Sequence, residues 1–208
     1  VCCNWQDTVL SGKIKDMKGL EAFVNLDTLI CHDNPITSLN VSKNTALRYL
    51  SCGLMAPPFS NPGKLTSLDV SNNLALTYLN CEDNLLTSLD VSANAVLKEL
   101  WCGENPLNSL NVSANSELEV LWCYDNQLTS IDVSNNLKLN SLACFSNQLT
   151  SLDITKNTKL KELGCGGNLL TSLDVSNNPD LEGLFCWVNQ LTSLDISINT
   201  SLVRLNIS

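Results

Sequence analysis

The sequence predicts a single solenoid: a chain wound into successive right-handed coils, with a parallel β-sheet on the concave face. The convex face is expected to be extended or turn-like, with few or no α-helices. Three observations predict it. A 21-residue motif is written eight times in register, beginning at Leu26, Leu47, Leu76, Leu97, Leu118, Leu139, Leu160 and Leu181. Eight cysteines keep the same step: Cys31, Cys52, Cys81, Cys102, Cys123, Cys144, Cys165 and Cys186 lie 21 residues apart, except for 29 between Cys52 and Cys81. Inside each copy a Leu-x-Cys alternation, such as Leu121-Trp122-Cys123, has the period of a β-strand.

At 208 residues the chain is long enough for one good core, and nothing marks a second domain. Charged residues are only 16% of the total, because Leu, Asn, Ser, Thr and Asp fill the repeats. A net charge of −9 argues against nucleic acid as a partner, since that affinity comes from Lys and Arg. No run of ~18 apolar residues exists, so this segment is not expected to insert into a membrane. The chain starts at Val1 without a signal peptide, which implies either removal of one or an excised segment.

Taken in order, residues 1–25 read as an N-terminal cap. Ile14, Met17, Leu20 and Phe23 recur every three residues like the back half of a degenerate repeat, and a solenoid needs its first core layer covered. Trp5, Cys2 and Cys3 fall in this cap, and neither cysteine has an evident disulfide partner. Residues 26–201 form the eight repeats. An eight-residue insertion within 53–64 leaves the second strand just after Cys52 and should make a lip over the sheet rim, with Leu54, Met55 and Phe59 folded onto the array. Residues 202–208 are a truncated ninth repeat without a polar cap. Its open strand edge suggests further chain or end-to-end self-association there.

Each copy follows L-x-x-L-x-C-x-x-N-x-L-T-S-L-D-V-S-x-N-x-x, which is a leucine-rich repeat. The length and the sixth-position cysteine resemble bacterial internalin-type repeats, above all internalins with a cysteine ladder and related surface proteins. The resemblance covers Leu26 to Ser208. It implies a secreted or cell-surface bacterial protein engaged in adhesion or host contact, by analogy of fold.

Most invariant letters are scaffold. Cys is a small, soft residue suited to the space between stacked strands. In-register parallel side chains point the same way, which suits disulfide torsion poorly, so free and inert thiols are expected in the eight slots. Asn34, Asn84, Asn105, Asn126, Asn147, Asn168 and Asn189 occupy the ninth position, where an amide can bond turn backbone groups. A second column, Asn44, Asn73, Asn94, Asn115, Asn136, Asn157, Asn178 and Asn199, should serve another buried turn.

Motifs for catalysis are absent. The one histidine, His32, lies beside Asp33 but has no nucleophile placed against it by a recognisable motif. No zinc-type Cys spacing or phosphate-binding glycine loop occurs, and no cofactor is implied. Glu82 and Asp83 are paired carboxylates on what should be an exposed acidic edge. The recurrent Asp-Val-Ser-x-Asn, at Asp69, Asp90, Asp132, Asp153, Asp174 and Asp195, resembles part of a calcium loop. It lacks the glycine and the distant bidentate Glu of such a loop, and the same residues satisfy turn backbone groups alone.

Function must lie where the copies differ. The third, fifth and seventh positions of each repeat face outward in three columns and hold eight of the eleven aromatic residues: Tyr49, Tyr78, Trp101, Trp122, Tyr124, Phe145, Phe185 and Trp187. Bulky β-formers cover sheets, but concentrated aromatics also anchor partners at little entropic cost. Trp101 and Trp122, with Tyr124 and Phe145 beside them, make the strongest patch. Glu82 and Glu99 lie within the columns, and Asp83, Glu104, Glu119, Asp125 and Glu162 make that face acidic against few bases such as Arg48, Lys98 and Lys161. The expectation is a non-enzymatic module binding a protein, in preference to a glycan, on this face. A spacer array is the competing reading, and variation in the columns favours recognition.

Overall fold

A computed structural model describes residues 14–32, 34–53 and 64–208. The expectations for Cys2, Cys3, Trp5, Asp33, Leu54, Met55 and Phe59 lie outside the described residues. The architecture is the expected leucine-rich repeat solenoid. Nine three-residue strands form one parallel sheet in sequence order: β1 (Thr28–Ile30), β2 (Tyr49–Ser51), β3 (Tyr78–Asn80), β4 (Glu99–Trp101), β5 (Val120–Trp122), β6 (Ser141–Ala143), β7 (Glu162–Gly164), β8 (Gly183–Phe185) and β9 (Arg204–Asn206). Among the described residues the one further element is a 3-10 turn over Leu20–Ala22. Among the described residues no helix is long and apolar enough to cross a membrane.

Register follows the repeat. Leu29, Leu50, Leu79, Leu100, Leu121, Leu142, Leu163, Leu184 and Leu205 are successive partners across the sheet. The eight-residue insertion therefore leaves the pairing of β2 with β3 in register. Leu and Cys point inward, and leucines such as Leu79, Leu100 and Leu121 are fully buried, as are Leu86, Leu107 and Leu128 from the opposite wall. Each strand is too short to bury its apolar side alone, so burial comes from stacking one coil on the next. Cys31 through Cys186 are buried and unbridged. Loss of water around the thiolate raises Cys31 to about 11 and Cys123 and Cys165 to about 12, so these thiols stay protonated and unreactive.

The two asparagine columns tie the turns together. The Nδ2 of Asn126 donates to the carbonyls of Cys102 (3.1 Å), Cys123 (3.1 Å) and Tyr124 (3.0 Å), while its Oδ1 accepts the Leu107 N–H at 3.0 Å. Four backbone groups that the turns leave unpaired are thus satisfied by one side chain spanning two coils. In the second column, Asn115 donates to Val91 (3.0 Å) and Asn94 (2.9 Å) of the preceding coil. On the turn beside it, Asp90 Oδ1 accepts the Ser92 N–H at 2.9 Å, and Asn40 and Asn111 do the same in their copies. Each such carboxylate is held below its usual range by its own Ser or Thr, as in Asp69 and Asp153. The recurrent aspartates therefore act within their own turns.

From Asn84 on, the residue before each ninth-position asparagine sits in the left-handed region: Asp83 (φ 51°), Glu104 (53°), Asp125 (48°), Ser146 (53°), Gly167 (61°) and Val188 (44°). The conformation points its N–H at the next coil, as Glu104 N–H donates to the Tyr124 carbonyl at 2.9 Å. A β-branched residue is the costliest occupant of this region. Val188 is 67% exposed, so it has little packing to offset the strain. Val188→Asn should raise the free energy of unfolding by about 1 kcal/mol in urea titration; an unchanged or lower value would contradict strain at this turn.

Candidate recognition face

The outward columns place the aromatic rings in two files. Tyr49 stacks on Tyr78 with ring centroids 4.0 Å apart and planes 2° from parallel. Tyr78 meets Trp101 at 5.6 Å, tilted by 55°, and Trp101 stacks on Trp122 at 4.3 Å. Along the seventh positions Tyr124 stacks on Phe145 at 4.6 Å, and Phe145 meets Trp187 at 6.3 Å. The cause is register: partners in adjacent parallel strands stand ~4.8 Å apart, close to ring-stacking distance. Among the described residues Phe185 makes no ring contact. All eight rings are half-buried, and in the stacked pairs each ring shades its neighbour.

Glycines in the seventh column make room for their large neighbours. A Cβ on Gly103 would lie 2.8 Å from the Tyr124 ring, and one on Gly166 would lie 2.4 Å from Trp187. Tyr124 and Trp187 therefore lie back across the preceding coil instead of standing out from the sheet. The consensus leaves this position blank, so sequence patterning treats these glycines as gaps, although the Gly-then-aromatic order in adjacent copies was a usable signal. Ser141 was also missed: its Oγ accepts the Trp122 indole N–H at 3.1 Å. The Trp101 indole nitrogen is buried without a partner.

Two expectations need correction. The fifth column does not face solvent along its whole length: Ser51 and Asn80 are fully buried, short side chains in line with Trp101. Glu82 is not on an exposed edge either, with only 6% of its surface accessible. Its carboxyl lies beside the Tyr124 hydroxyl and Asn80, and burial, followed by the charges of Glu104 and Asp83, raises it to about 7. The Tyr124 phenol is raised in turn by burial and by the Glu82 charge. Glu99, by contrast, is half-buried in the third column, next to Tyr78 across the sheet.

The bases assigned to this face are already engaged. Arg48 pairs with Asp27 (3.6 Å), Lys98 with Glu119 (3.4 Å) and Lys161 with Glu182 (3.0 Å), all at the strand-entry edge, and Arg204 pairs with Glu162. Glu119 thus adds nothing to the acidity of the face.

The raised Glu82 carboxyl fixes a direction for pH dependence. Its ordinary value is 4.5 and its folded value about 7, so folding takes up a proton between these limits and stability falls as pH rises through them. The loss should total about 2–3 kcal/mol between pH 5 and pH 8, from ~1.4 kcal/mol per pH unit. Glu82→Gln should flatten that segment of the stability profile and be more stable than the parent at pH 8. Parallel profiles for the two proteins would show that Glu82 is ordinarily ionised.

No protein-family model matches the chain, nor does any curated protein. Solved structures do. The functional domain of InlJ from Listeria monocytogenes, which includes a cysteine ladder, is 41% identical, with 91% of this chain covering 40% of that one at a TM-score of 0.86. The internalin inlF of L. monocytogenes is 23% identical (94% of this chain, 65% of that one, TM-score 0.73). The ectodomain of the plant receptor kinase GASSHO1/SCHENGEN3 from Arabidopsis thaliana, solved with CASPARIAN STRIP INTEGRITY FACTOR 2, is 24% identical (88% and 24%, TM-score 0.71). These last two share the fold; the first also includes a cysteine ladder, as this chain does. The chain spans less than half of the InlJ domain, and it belongs among the internalin-like leucine-rich repeat proteins with a cysteine ladder.

Proposed function

We propose that this chain is a non-enzymatic recognition module of a secreted or surface-displayed bacterial protein, and that it binds a protein partner on its sheet face. The observation that carries the reading is the placement of eight of eleven aromatic residues in the outward columns, the positions the scaffold leaves free. Half-buried rings fixed by their neighbours lose little entropy on binding and offer large apolar area. A glycan platform is the weaker alternative, because a sugar needs an open ring face. In the Tyr49–Tyr78 and Trp101–Trp122 stacks, one face of each ring is covered by the other. A spacer array would not need these columns to vary. The internalin likeness supports adhesion or host contact as the setting.

The test is an array of secreted and cell-surface proteins probed with the parent chain and with Trp101→Ala/Trp122→Ala. The double variant should lose the parent's partners, with affinity down at least about 100-fold, while its unfolding midpoint moves little. Retention of the same partners at similar affinity would remove this face from the binding site.

A further inference from the structure

The two long edges of the sheet handle charge differently. At the strand-entry edge, acids and bases from adjacent coils neutralise one another, as in Lys98–Glu119 and Lys161–Glu182. At the strand-exit edge, Asp83, Glu104 and Asp125 hold the same repeat position in three successive coils, which sets neighbours ~4.8 Å apart. Residues 82–89, 103–110, 124–131, 145–152, 166–173 and 187–194, which build that edge from the third coil on, contain no Lys or Arg. Among the described residues none of the three acids enters an ion pair. Their mutual repulsion is unrelieved, and burial plus the charges of Asp83 and Asp125 raise Glu104 above its usual range.

A second feature points to something that belongs against this edge. Glu82 Oε1 is buried and has no hydrogen-bond partner. The carboxyl feels both Glu104 and Asp83, and the Tyr124 ring reaches it across Gly103. The thiols of Cys81 and Cys102 lie near enough to feel its charge and are held protonated by burial. A buried acid oxygen without a donor is stabilised by a hydrogen-bond donor, and beside a file of unpaired carboxylates a cationic donor is favoured over a neutral one. An open groove lined by Glu104, Pro106, Asp125, Gln127 and Ser146 gives access to the edge.

We propose that the edge formed by Asp83, Glu104, Asp125 and Tyr124 receives a basic segment of the protein partner, with Lys or Arg side chains over Glu104 and Asp125. The inference rests on the reading of the sheet face as a protein-recognition surface and gives that partner a charge. A polypeptide fits better than a metal ion: among the described residues, no three His, Cys, Asp or Glu side chains converge closely enough to hold one. A stretched chain laid across the coils can instead set one cation against each carboxylate. Its apolar residues would then meet Phe145 and Trp122.

The probe is a fluorescein-labelled decapeptide alternating Arg with Leu, beside its counterpart with Glu for Arg, read by anisotropy on the intact chain. The Arg peptide should bind, weaken about tenfold between about 50 mM and about 300 mM NaCl, and weaken about tenfold on Glu104→Gln/Asp125→Asn. Both substitutions are at exposed positions, so an unchanged thermal midpoint certifies folding. Equal binding by this double variant, binding of the Glu peptide, or no binding of the Arg peptide would overturn the proposal. Displacement by millimolar calcium alone would assign the edge to a metal ion, also against it. If the Arg peptide behaves as expected while Trp101→Ala/Trp122→Ala keeps every partner, the edge stands and the sheet-face reading falls. If the partners are lost but the peptide ignores Glu104 and Asp125, the reverse holds.

Discussion

Everything in this molecule depends on how a chain turns sharply three or four times per coil without abandoning buried backbone groups. Three-residue strands satisfy only a small share of the main chain. Backbone bonds within the turns and between coils satisfy much of the rest, and asparagine side chains that reach from one coil to the next satisfy groups these leave over, with Asn126 alone serving four. An unpaired buried donor or acceptor costs ~1–3 kcal/mol, so a coil lacking its amide would lose much of what stacking its leucines contributes. The asparagines are in this sense the joints of the solenoid, and leucine burial is what they make affordable.

That division leaves the sheet surface unconstrained by folding, except at its closest approaches. The outward columns can vary because neither core volume nor backbone pairing depends on them. They vary in a correlated way, however. Tyr124 and Trp187 require the glycines of the preceding coil, and Trp122 uses Ser141 of the following one. The aromatic files are therefore built as units across several coils, and Glu82 is drawn under one of them as a buried acid. A surface whose rings are fixed in advance is suited to binding; the same fixation also stabilises the array, so part of its worth is structural.

Periodicity made the scaffold readable. Leu100, Cys102, Asn105 and Asn115 recur at one spacing, and each side chain has one role that the spacing implies. The placement of rings in outward columns was legible for the same reason. What was not legible is depth. A period-two pattern says that Glu82 and Asn80 point away from the core, but not that Tyr124, two coils on, will lean back across Gly103. Burial on the outer face arises from residues 42 apart acting through an intervening glycine, and no single repeat contains that information. Nor did counting acids and bases reveal that Lys98 and Lys161 are spent on Glu119 and Glu182, leaving one edge acidic and the other neutral.

The central claim, that asparagine amides lock each turn to its neighbour, is tested most directly by native-state hydrogen exchange at Leu86, Leu107, Leu128 and Leu149. Each N–H lies outside the strands and donates to an asparagine Oδ1 of the next coil at 3.0, 3.0, 3.0 and 2.9 Å. The account predicts that these four amides exchange only through global unfolding, as slowly as the strand amides of Leu100 and Leu121. Exchange at the rates of exposed turn amides would contradict it.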